Sequence, residues 1–155
     1  MNLLLLRHAD AETEAVTDHA RRLSEKGEAQ ARKVARFLEA NEITPELVLA
    51  SPLRRAQETA RIVSDHLRVE LLTVAWAASG LDPETGLDEL RAYAKFDCVM
   101  LVGHEPDFSM LAAHLLGLRD PAQLRIRKAS LTHLELTAFA PGAARLDWSI
   151  PCRLM

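Results

Sequence analysis

The sequence predicts an α/β fold, a three-layer α/β/α sandwich around a mostly parallel central sheet. Two observations carry this prediction. Short apolar runs of the kind found in buried strands alternate along the chain with longer segments that repeat an apolar residue at helical spacing. The earliest run begins almost at the N-terminus and does not alternate with polar residues, which is typical of a strand buried in a parallel or mixed sheet. At 155 residues we expect a single domain over residues 1–155.

The first half of the chain is predicted to begin with a strand at Leu3–Leu6 and a long polar loop over Ala9–Leu23. Ser24 is a candidate N-cap for a helix over Glu25–Ala40, because acidic residues follow it and apolar residues recur at helical spacing. The second predicted strand is Leu47–Ala50, and a third covers Val69–Val74. Between them we expect a helix with one apolar face, which carries Ala56, Ala60, Val63 and Leu67.

The second half is predicted to open with a loop over Ala75–Asp88, because glycine and proline recur in it, and with a short helix around Asp88–Ala94. Cys98–Val102 is a predicted buried strand, and Asp107 is a candidate cap for the helix that follows. A half-buried strand at Leu131–Leu136 and a last strand at Arg145–Ile150 would add antiparallel edges to the sheet.

Composition excludes several classes of protein. The formal net charge of -3 argues against nucleic acid as a partner. No apolar run approaches the ~20 residues that span a bilayer, and Arg7, His8 and Asp10 interrupt any early signal sequence, so we expect no membrane association and a cytoplasmic protein. Cys98 and Cys152 are too few for a disulfide framework or a zinc cage.

Polar side chains follow three of the predicted strands, at the point where each strand ends. They are Arg7 and His8 after the first strand, Ser51 to Arg55 after the second, and Gly103 and His104 after the later buried strand. Ligands of open α/β sheets collect at the carboxyl ends of the strands, so we expect these side chains to share one crevice. Two imidazoles and two guanidiniums suit a phosphoryl group, because guanidinium forks match phosphate oxygens and imidazole is a competent nucleophile.

A metal site is an alternative interpretation, because His8 and Asp10 lie two residues apart. It lacks a convincing third ligand, and the adjacent arginines would repel a cation. We therefore expect no metal and no cofactor. A histidine after a strand is also often only a capping or structural residue, so the prediction depends on the coincidence of three strand ends rather than on any single residue.

The same three segments carry a resemblance to a known family. Arg7-His8-Ala9 resembles the Arg-His-Gly signature of the histidine phosphatase, or phosphoglycerate mutase-like, superfamily. Ser51-Pro52-Leu53-Arg54-Arg55-Ala56 resembles its Ser-Pro-x-x-Arg-Ala motif, and Gly103-His104-Glu105-Pro106 resembles its Gly-His-x-Pro motif. The short length, the segment from Asp18 through Arg21 to Gly27, and the ending Trp148 to Cys152 are similar to the small SixA-like phosphohistidine phosphatases.

The resemblance implies a phosphoglycerate mutase-like fold and a metal-independent phosphatase. His8 would be the nucleophile that becomes phosphorylated, while Arg7, Arg55 and His104 would form the phosphate pocket. Arg21 matches a position close to that pocket, and Asp18 would orient an arginine, which makes both candidate substrate-binding residues. The remaining histidines match no motif and are expected to be surface or structural: His19, His66, His114 and His133.

Two departures from the family pattern bear on the site. Ala9 replaces the usual glycine, so the turn after His8 must be tolerable in a right-handed conformation or slightly strained. Larger members carry an acidic proton donor that has no clear counterpart here; the candidates are Glu84, Asp88, Glu89, Asp10, Asp18 and Glu105. An alkoxide leaving group needs such an acid, whereas the imidazole of phosphohistidine leaves more readily once protonated.

We therefore expect an enzyme that hydrolyses phosphohistidine on a phosphorylated protein and acts as a monomer. A phosphatase for a small phosphate ester is the nearest alternative, and a non-catalytic module that binds phosphate or a phosphoprotein is an alternative of another class. The presence of His8 favours catalysis, because a pure binding site could use any cation at that position.

Overall fold

The computed structural model describes residues 1–155 and contains a six-stranded mixed sheet with four α-helices. The strands are β1 Asn2–Arg7, β2 Leu47–Ala50, β3 Glu70–Thr73, β4 Cys98–Gly103, β5 Leu131–Leu136 and β6 Ala144–Ile150. The helices are α1 Glu25–Ala40, α2 Arg54–Leu67, α3 Pro83–Leu90 and α4 Asp107–Leu116. The predicted fold class is confirmed.

The sheet has the strand order β3-β2-β4-β1-β5-β6. The first four strands along the chain run parallel to one another, while β5 pairs antiparallel with β1 and β6 antiparallel with β5. The two late strands therefore form an antiparallel edge, as the sequence predicts. In this order β2, β4 and β1 are adjacent, so the three strands that end in polar motifs are direct neighbours.

Two apolar cores lie on opposite faces of the sheet. Alternate residues of β1 point to opposite faces, so that Leu3 packs in the core under α3 and α4, whereas Leu4 packs in the core under α1 and α2. Both side chains are fully buried. The uninterrupted apolar run of β1 is thus the consequence of a sheet covered by helices on both faces.

Helix α1 has the predicted bounds, because several local signals agree there. The Ser24 hydroxyl accepts a hydrogen bond of 3.1 Å from the Gly27 amide, which caps the helix N-terminus. The buried face of α1 consists of Gly27, Ala31, Val34, Ala35 and Leu38. Strands β2, β5 and β6 also lie where the periodicity places them, to within one residue.

The prediction of a loop over Ala75–Asp88 is wrong. Helix α3 begins at Pro83. Asp82 is its N-cap, because the Asp82 carboxylate accepts a hydrogen bond of 3.0 Å from the Thr85 amide. Proline suits the first turn of a helix because the amide hydrogen that it lacks would have no partner there. Gly86 lies inside the helix, where an added Cβ would come within 3.3 Å of a Leu111 methyl group. The glycine therefore allows close packing between α3 and α4 and does not mark a loop.

The predicted helix over Asp88–Ala94 is correspondingly misplaced. The α-helix ends at Leu90, and a 3-10 turn over Arg91–Tyr93 follows it. Asp107 is also not a cap: it is the first residue of α4, Pro106 precedes it, and its carboxylate accepts a hydrogen bond of 2.9 Å from the Gly80 amide. None of the helices is both long and apolar enough to cross a membrane.

Candidate active site

The candidate site lies where β1, β2 and β4 end side by side. Arg7 is in register with Gly103, the His8 amide donates to the Gly103 carbonyl at 2.9 Å, and the Ser51 amide donates to the Val102 carbonyl at 3.0 Å. These backbone bonds continue the parallel pairing for one step beyond the strands. They fix the chain at each strand end before the chain turns into the following loop or helix, and so they bring the predicted motifs together.

His8 is held as a neutral ring with a defined tautomer. The Nε–H of Arg55 points at His8 Nε2 over 3.2 Å, and because a guanidinium nitrogen can only donate, Nε2 must be the acceptor. The hydrogen of the ring is then on Nδ1, which donates to the Ala9 carbonyl at 2.8 Å. Burial, together with the charges of Arg55, Arg7 and Lys128, lowers the pKa of His8 to about 4. At neutral pH, Nε2 therefore carries a lone pair rather than a proton, and this lone pair accepts the hydrogen bond from Arg55.

Arg55 connects His8 to the long loop that follows β1. Its side chain is buried, and beyond the contact with His8 its Nη1 donates to the Asp18 carbonyl at 2.8 Å while its Nη2 lies 3.1 Å from Asp18 Oδ2. Asp18 thus binds both terminal nitrogens of the guanidinium, Nη1 and Nη2. The Nε atom of the guanidinium faces the His8 imidazole.

His104 lies next to His8, with the ring centroids 5.2 Å apart. Its Nε2 is 2.7 Å from the Ser51 hydroxyl, which is fully buried and accepts from the Leu53 amide at 3.3 Å. The hydroxyl hydrogen has no acceptor other than His104 Nε2, so Ser51 donates and the ring hydrogen is on Nδ1. Burial and the neighbouring His8 and Arg55 lower the pKa of His104 to about 3.

Two buried donors at this site have no partner in the protein. They are Nδ1 of His104 and Nε of Arg7, and the other such side-chain atom in the chain is Nε2 of His114 on α4. The Arg7 side chain is anchored through another nitrogen of its guanidinium, Nη1, which donates to the Ile126 carbonyl at 2.8 Å. Buried donors are nearly always satisfied in folded proteins, so a pair of free ones beside His8 marks a place for an acceptor.

Arg21 does not contact His8, Arg55 or His104 directly. Its Nε donates to the Glu12 carbonyl at 2.7 Å and its Nη1 lies 3.1 Å from Asp18 Oδ1, so it reaches the site through Asp18. The hydrogen bond from Arg21 and the charge of Arg55 hold the pKa of Asp18 below its usual range. Asp18 and the two arginines therefore form one network at the rim of the site.

Ala9 is accommodated without a left-handed backbone. It is fully buried and is not among the residues with positive φ, so the substitution of alanine for glycine in the first motif introduces no backbone strain. The Ala9 amide donates to Thr59 Oγ1 at 3.1 Å, and the same hydroxyl donates to the Arg55 carbonyl at 2.7 Å. Thr59 thereby couples the turn after His8 to the helix that carries Arg55.

The other carboxylates proposed as proton donors make no hydrogen bond to His8, Arg55 or His104. Glu105 lies close enough to Arg7 for their charges to interact, and burial raises the pKa of Glu105. Asp10 pairs with Lys128 at 2.7 Å, and Glu105 accepts from the amide of Ser109 at 3.1 Å and also from its hydroxyl. Glu84, Asp88 and Glu89 lie exposed on α3, and none of them makes a hydrogen bond to a predicted site residue. No cluster of three or more His, Cys, Asp or Glu side chains is arranged to hold a metal ion.

Sequence reasoning missed the contributions of Ser51, Thr59 and Lys128. Ser51 and Thr59 lie in or next to the second motif, so their positions were visible, but the hydrogen bonds they make depend on which strand lies beside which. Lys128 carried no signal, because it lies 120 residues beyond His8 in a segment without a motif.

Comparisons with known proteins identify relatives of this chain by sequence and by fold. Residues 3–75 match the model of the histidine phosphatase superfamily (branch 1). The chain is 27% identical over 161 residues to the phosphohistidine phosphatase SixA of Escherichia coli (strain K12), covering 99% of this chain and 96% of that protein. It is 30% identical over 132 residues to the phosphohistidine phosphatase SixA homolog of Haemophilus influenzae, covering 78% of this chain and 80% of that protein.

The fold is also similar to a solved structure, that of the protein histidine phosphatase SixA complexed with tungstate. The TM-score is 0.90 at 25% sequence identity, and the match covers 100% of both chains. Sequence and fold are thus similar to the same group of proteins over nearly the whole length.

Proposed function

Because this chain belongs to the histidine phosphatase superfamily, we propose that it removes phosphoryl groups from phosphohistidine on proteins, with His8 as the transient acceptor. The superfamily match and the similarity to SixA together support a phosphatase that acts on a phosphorylated protein or a phosphate ester. One observation carries the mechanism: the neutral His8 ring presents its Nε2 lone pair directly to the Arg55 guanidinium.

In the first step His8 Nε2 attacks the phosphorus of the substrate and the P–N bond to the substrate imidazole breaks. A substrate ring protonated on its free nitrogen leaves as neutral imidazole, taking the bonding electrons without further proton transfer. Phosphorylated His8 carries a hydrogen on Nδ1 and a positive charge on its ring, and the Ala9 carbonyl that accepts this hydrogen stabilises that charge.

In the second step water attacks the same phosphorus. The P–Nε2 bond breaks, its electron pair returns to His8, and inorganic phosphate leaves as the monoanion with both protons of the water. The ring regains the neutral tautomer with hydrogen on Nδ1, so the cycle closes without a net change in the enzyme.

The phosphoryl oxygens would be held by cationic and neutral donors from three strand ends. Arg55 would exchange its bond to His8 for one to a phosphoryl oxygen, and the free donors Arg7 Nε and His104 Nδ1 would take the others. Three donors fixed before the substrate arrives stabilise the charge that spreads over the oxygens during transfer. We further propose that these donors suffice without a metal or cofactor, and that a monomer is active, since every proposed group comes from one chain.

The acid–base chemistry of the site favours phosphohistidine over an alkyl ester. Asp18 is the carboxylate that touches a proposed catalytic side chain, and Arg21 and Arg55 hold its pKa below the usual range. It is therefore ionised at neutral pH and cannot protonate an alkoxide. Transfer between two imidazoles replaces one P–N bond by another and makes no such demand.

The test compares a phosphohistidine peptide with glycerol 2-phosphate, following phosphate release. General acid catalysis is typically worth about 10²–10⁴-fold, so we expect kcat/KM for the phosphohistidine peptide to exceed that for the ester by at least about 100-fold. His8→Ala should abolish release from both substrates, whereas the control His66→Ala, which changes an exposed histidine paired with Glu39, should retain it.

Each alternative outcome has a distinct meaning. Rapid turnover of the ester without activity on the peptide would identify a small-molecule phosphatase. Equal release by His8→Ala and by the unmodified chain would remove His8 from the mechanism. Binding of either substrate without any release would indicate a non-catalytic module.

A further inference from the structure

A groove of about 580 Å³ lies next to the candidate active site and shares Arg7 with it. We call it the basic groove, because its lining contains six cationic side chains and one carboxylate, that of Asp10: Arg7, Lys26, Arg125, Arg127, Lys128 and Arg153. The formal charge of the whole chain is -3, so this positive charge is a local concentration rather than a property of the surface at large.

Most of these cations have no partner within the protein. Lys128 pairs with Asp10 at 2.7 Å. By contrast, the exposed side chains of Lys26, Arg125, Arg127 and Arg153 make no salt bridge and donate no hydrogen bond. Six positive side chains gathered on one surface with a single carboxylate, that of Asp10, repel one another, so the arrangement gains most from an anionic partner.

The groove is attached rigidly to the catalytic strand end. The Arg7 side chain donates to the Ile126 carbonyl at 2.8 Å, and the Ala129 amide donates to the Arg7 carbonyl at 3.1 Å. Ile126 is buried, whereas its chain neighbours Arg125 and Arg127 are exposed. The buried side chain therefore fixes the position of the backbone that carries the two arginines. A ligand seated there would lie beside a phosphoryl group on His8.

We propose that the basic groove binds an acidic surface of the substrate protein next to its phosphohistidine, an inference that rests on the proposed function. The free cations are long, exposed side chains, which suit several carboxylates spread over a protein surface better than one compact anion. No aromatic side chain lines the groove, whereas single-stranded nucleic acids are usually bound by stacking on aromatic rings. The observations therefore favour an acidic protein.

The experiment uses two synthetic peptides with one central phosphohistidine, flanked by glutamates in one and by glutamines in the other. For the unmodified chain at low salt we expect kcat/KM for the glutamate peptide to be higher by about fivefold or more, since several exposed charge pairs add up. In the double variant Arg125→Gln, Arg127→Gln this ratio should fall to about one. The preference should also disappear at about 0.5 M salt, where exposed charges are screened.

The matched control is the double variant Arg36→Gln, Arg61→Gln, which removes two exposed arginines from α1 and α2, outside the basic groove. It should keep the preference of the unmodified chain. No preference in the unmodified chain, or a preference that survives in the Arg125 and Arg127 variant, would overturn the inference while leaving the proposed function intact.

A binding measurement separates this inference from the proposed function. Fluorescence anisotropy of a labelled, unphosphorylated glutamate peptide should show weaker binding to the Arg125 and Arg127 variant than to the control variant. If neither phosphohistidine peptide is hydrolysed, the proposed function fails, and the anisotropy result still decides the role of the basic groove. Tighter binding of a single-stranded oligonucleotide than of the glutamate peptide would refute the choice of an acidic protein.

Discussion

Replacing Arg55 by alanine should lower the rate of phosphoryl transfer far more than it lowers the stability of the fold. Arg55 is the guanidinium hydrogen-bonded to His8 Nε2, so its loss removes a fixed donor from the place where the phosphoryl oxygens gain charge. Removing one such donor typically costs about 10²–10³-fold in kcat, or about 2.7–4 kcal/mol of transition-state stabilisation. We expect a loss within that range.

The effect on stability follows from the contacts of the same side chain. The ion pair between Arg55 and Asp18 involves a carboxylate that is 57% exposed, so solvent screens it and it contributes at most about 1 kcal/mol. The hydrogen bond to the Asp18 carbonyl contributes about another 1 kcal/mol. A loss of about 2 kcal/mol lowers Tm by about 4–8 °C in a chain of this size, which leaves the protein folded at assay temperature.

The assay measures kcat for phosphate release together with Tm by circular dichroism. Arg54→Ala is the matched control, because Arg54 is the preceding residue of α2, is exposed, and pairs with Glu58 at 2.7 Å. It should keep the rate of the unmodified chain. If Arg55→Ala retained kcat within about threefold, Arg55 would not belong to the phosphate pocket. A rate loss that merely tracked unfolding would also refute the reasoning.

Three more predictions follow from the same geometry. The value of kcat/KM should fall as the pH drops through about 4, because His8 attacks only as the neutral ring. The free energy of unfolding should fall as the pH drops from about 6.5 towards 3, because His8 and His104 take up protons in the unfolded chain that they exclude in the folded protein. A pH series of rates and Tm values checks both. Gly27→Ala should lower the free energy of unfolding, measured with urea, by about 1–3 kcal/mol. The reason is that the added Cβ would lie 1.9 Å from the Asp10 carbonyl oxygen, so the backbone would have to move. An unchanged free energy of unfolding would contradict this packing. A chelator should leave phosphate release unchanged while tungstate inhibits it competitively and raises Tm, and a chelator-sensitive rate would restore the metal interpretation.

The local signals that predicted helices succeeded where they agreed with one another and failed where they conflicted. Around α1 the cap at Ser24, the acidic first turn and the apolar spacing all indicate the same helix, and its bounds are as predicted. Around α3 a proline and an internal glycine resemble a loop, yet Pro83 occupies the first turn and Gly86 packs against α4. The need for glycine at position 86 comes from the side chains of Leu81 and Leu111, which approach it only in the folded protein.

The fold class and the three strand ends that carry the candidate site could be predicted from the sequence alone. Apolar runs that end in polar motifs follow from local periodicity, and the parallel arrangement of β1, β2 and β4 brings their carboxyl ends to one edge of the sheet. Three features became apparent only in the folded structure: which nitrogen of His8 carries the hydrogen, that Ser51 orients His104, and that Lys128 lies near His8. Periodicity and capping are set by residues a few positions apart, whereas hydrogen-bond partners and local charge depend on strand order and on side chains that meet only after folding.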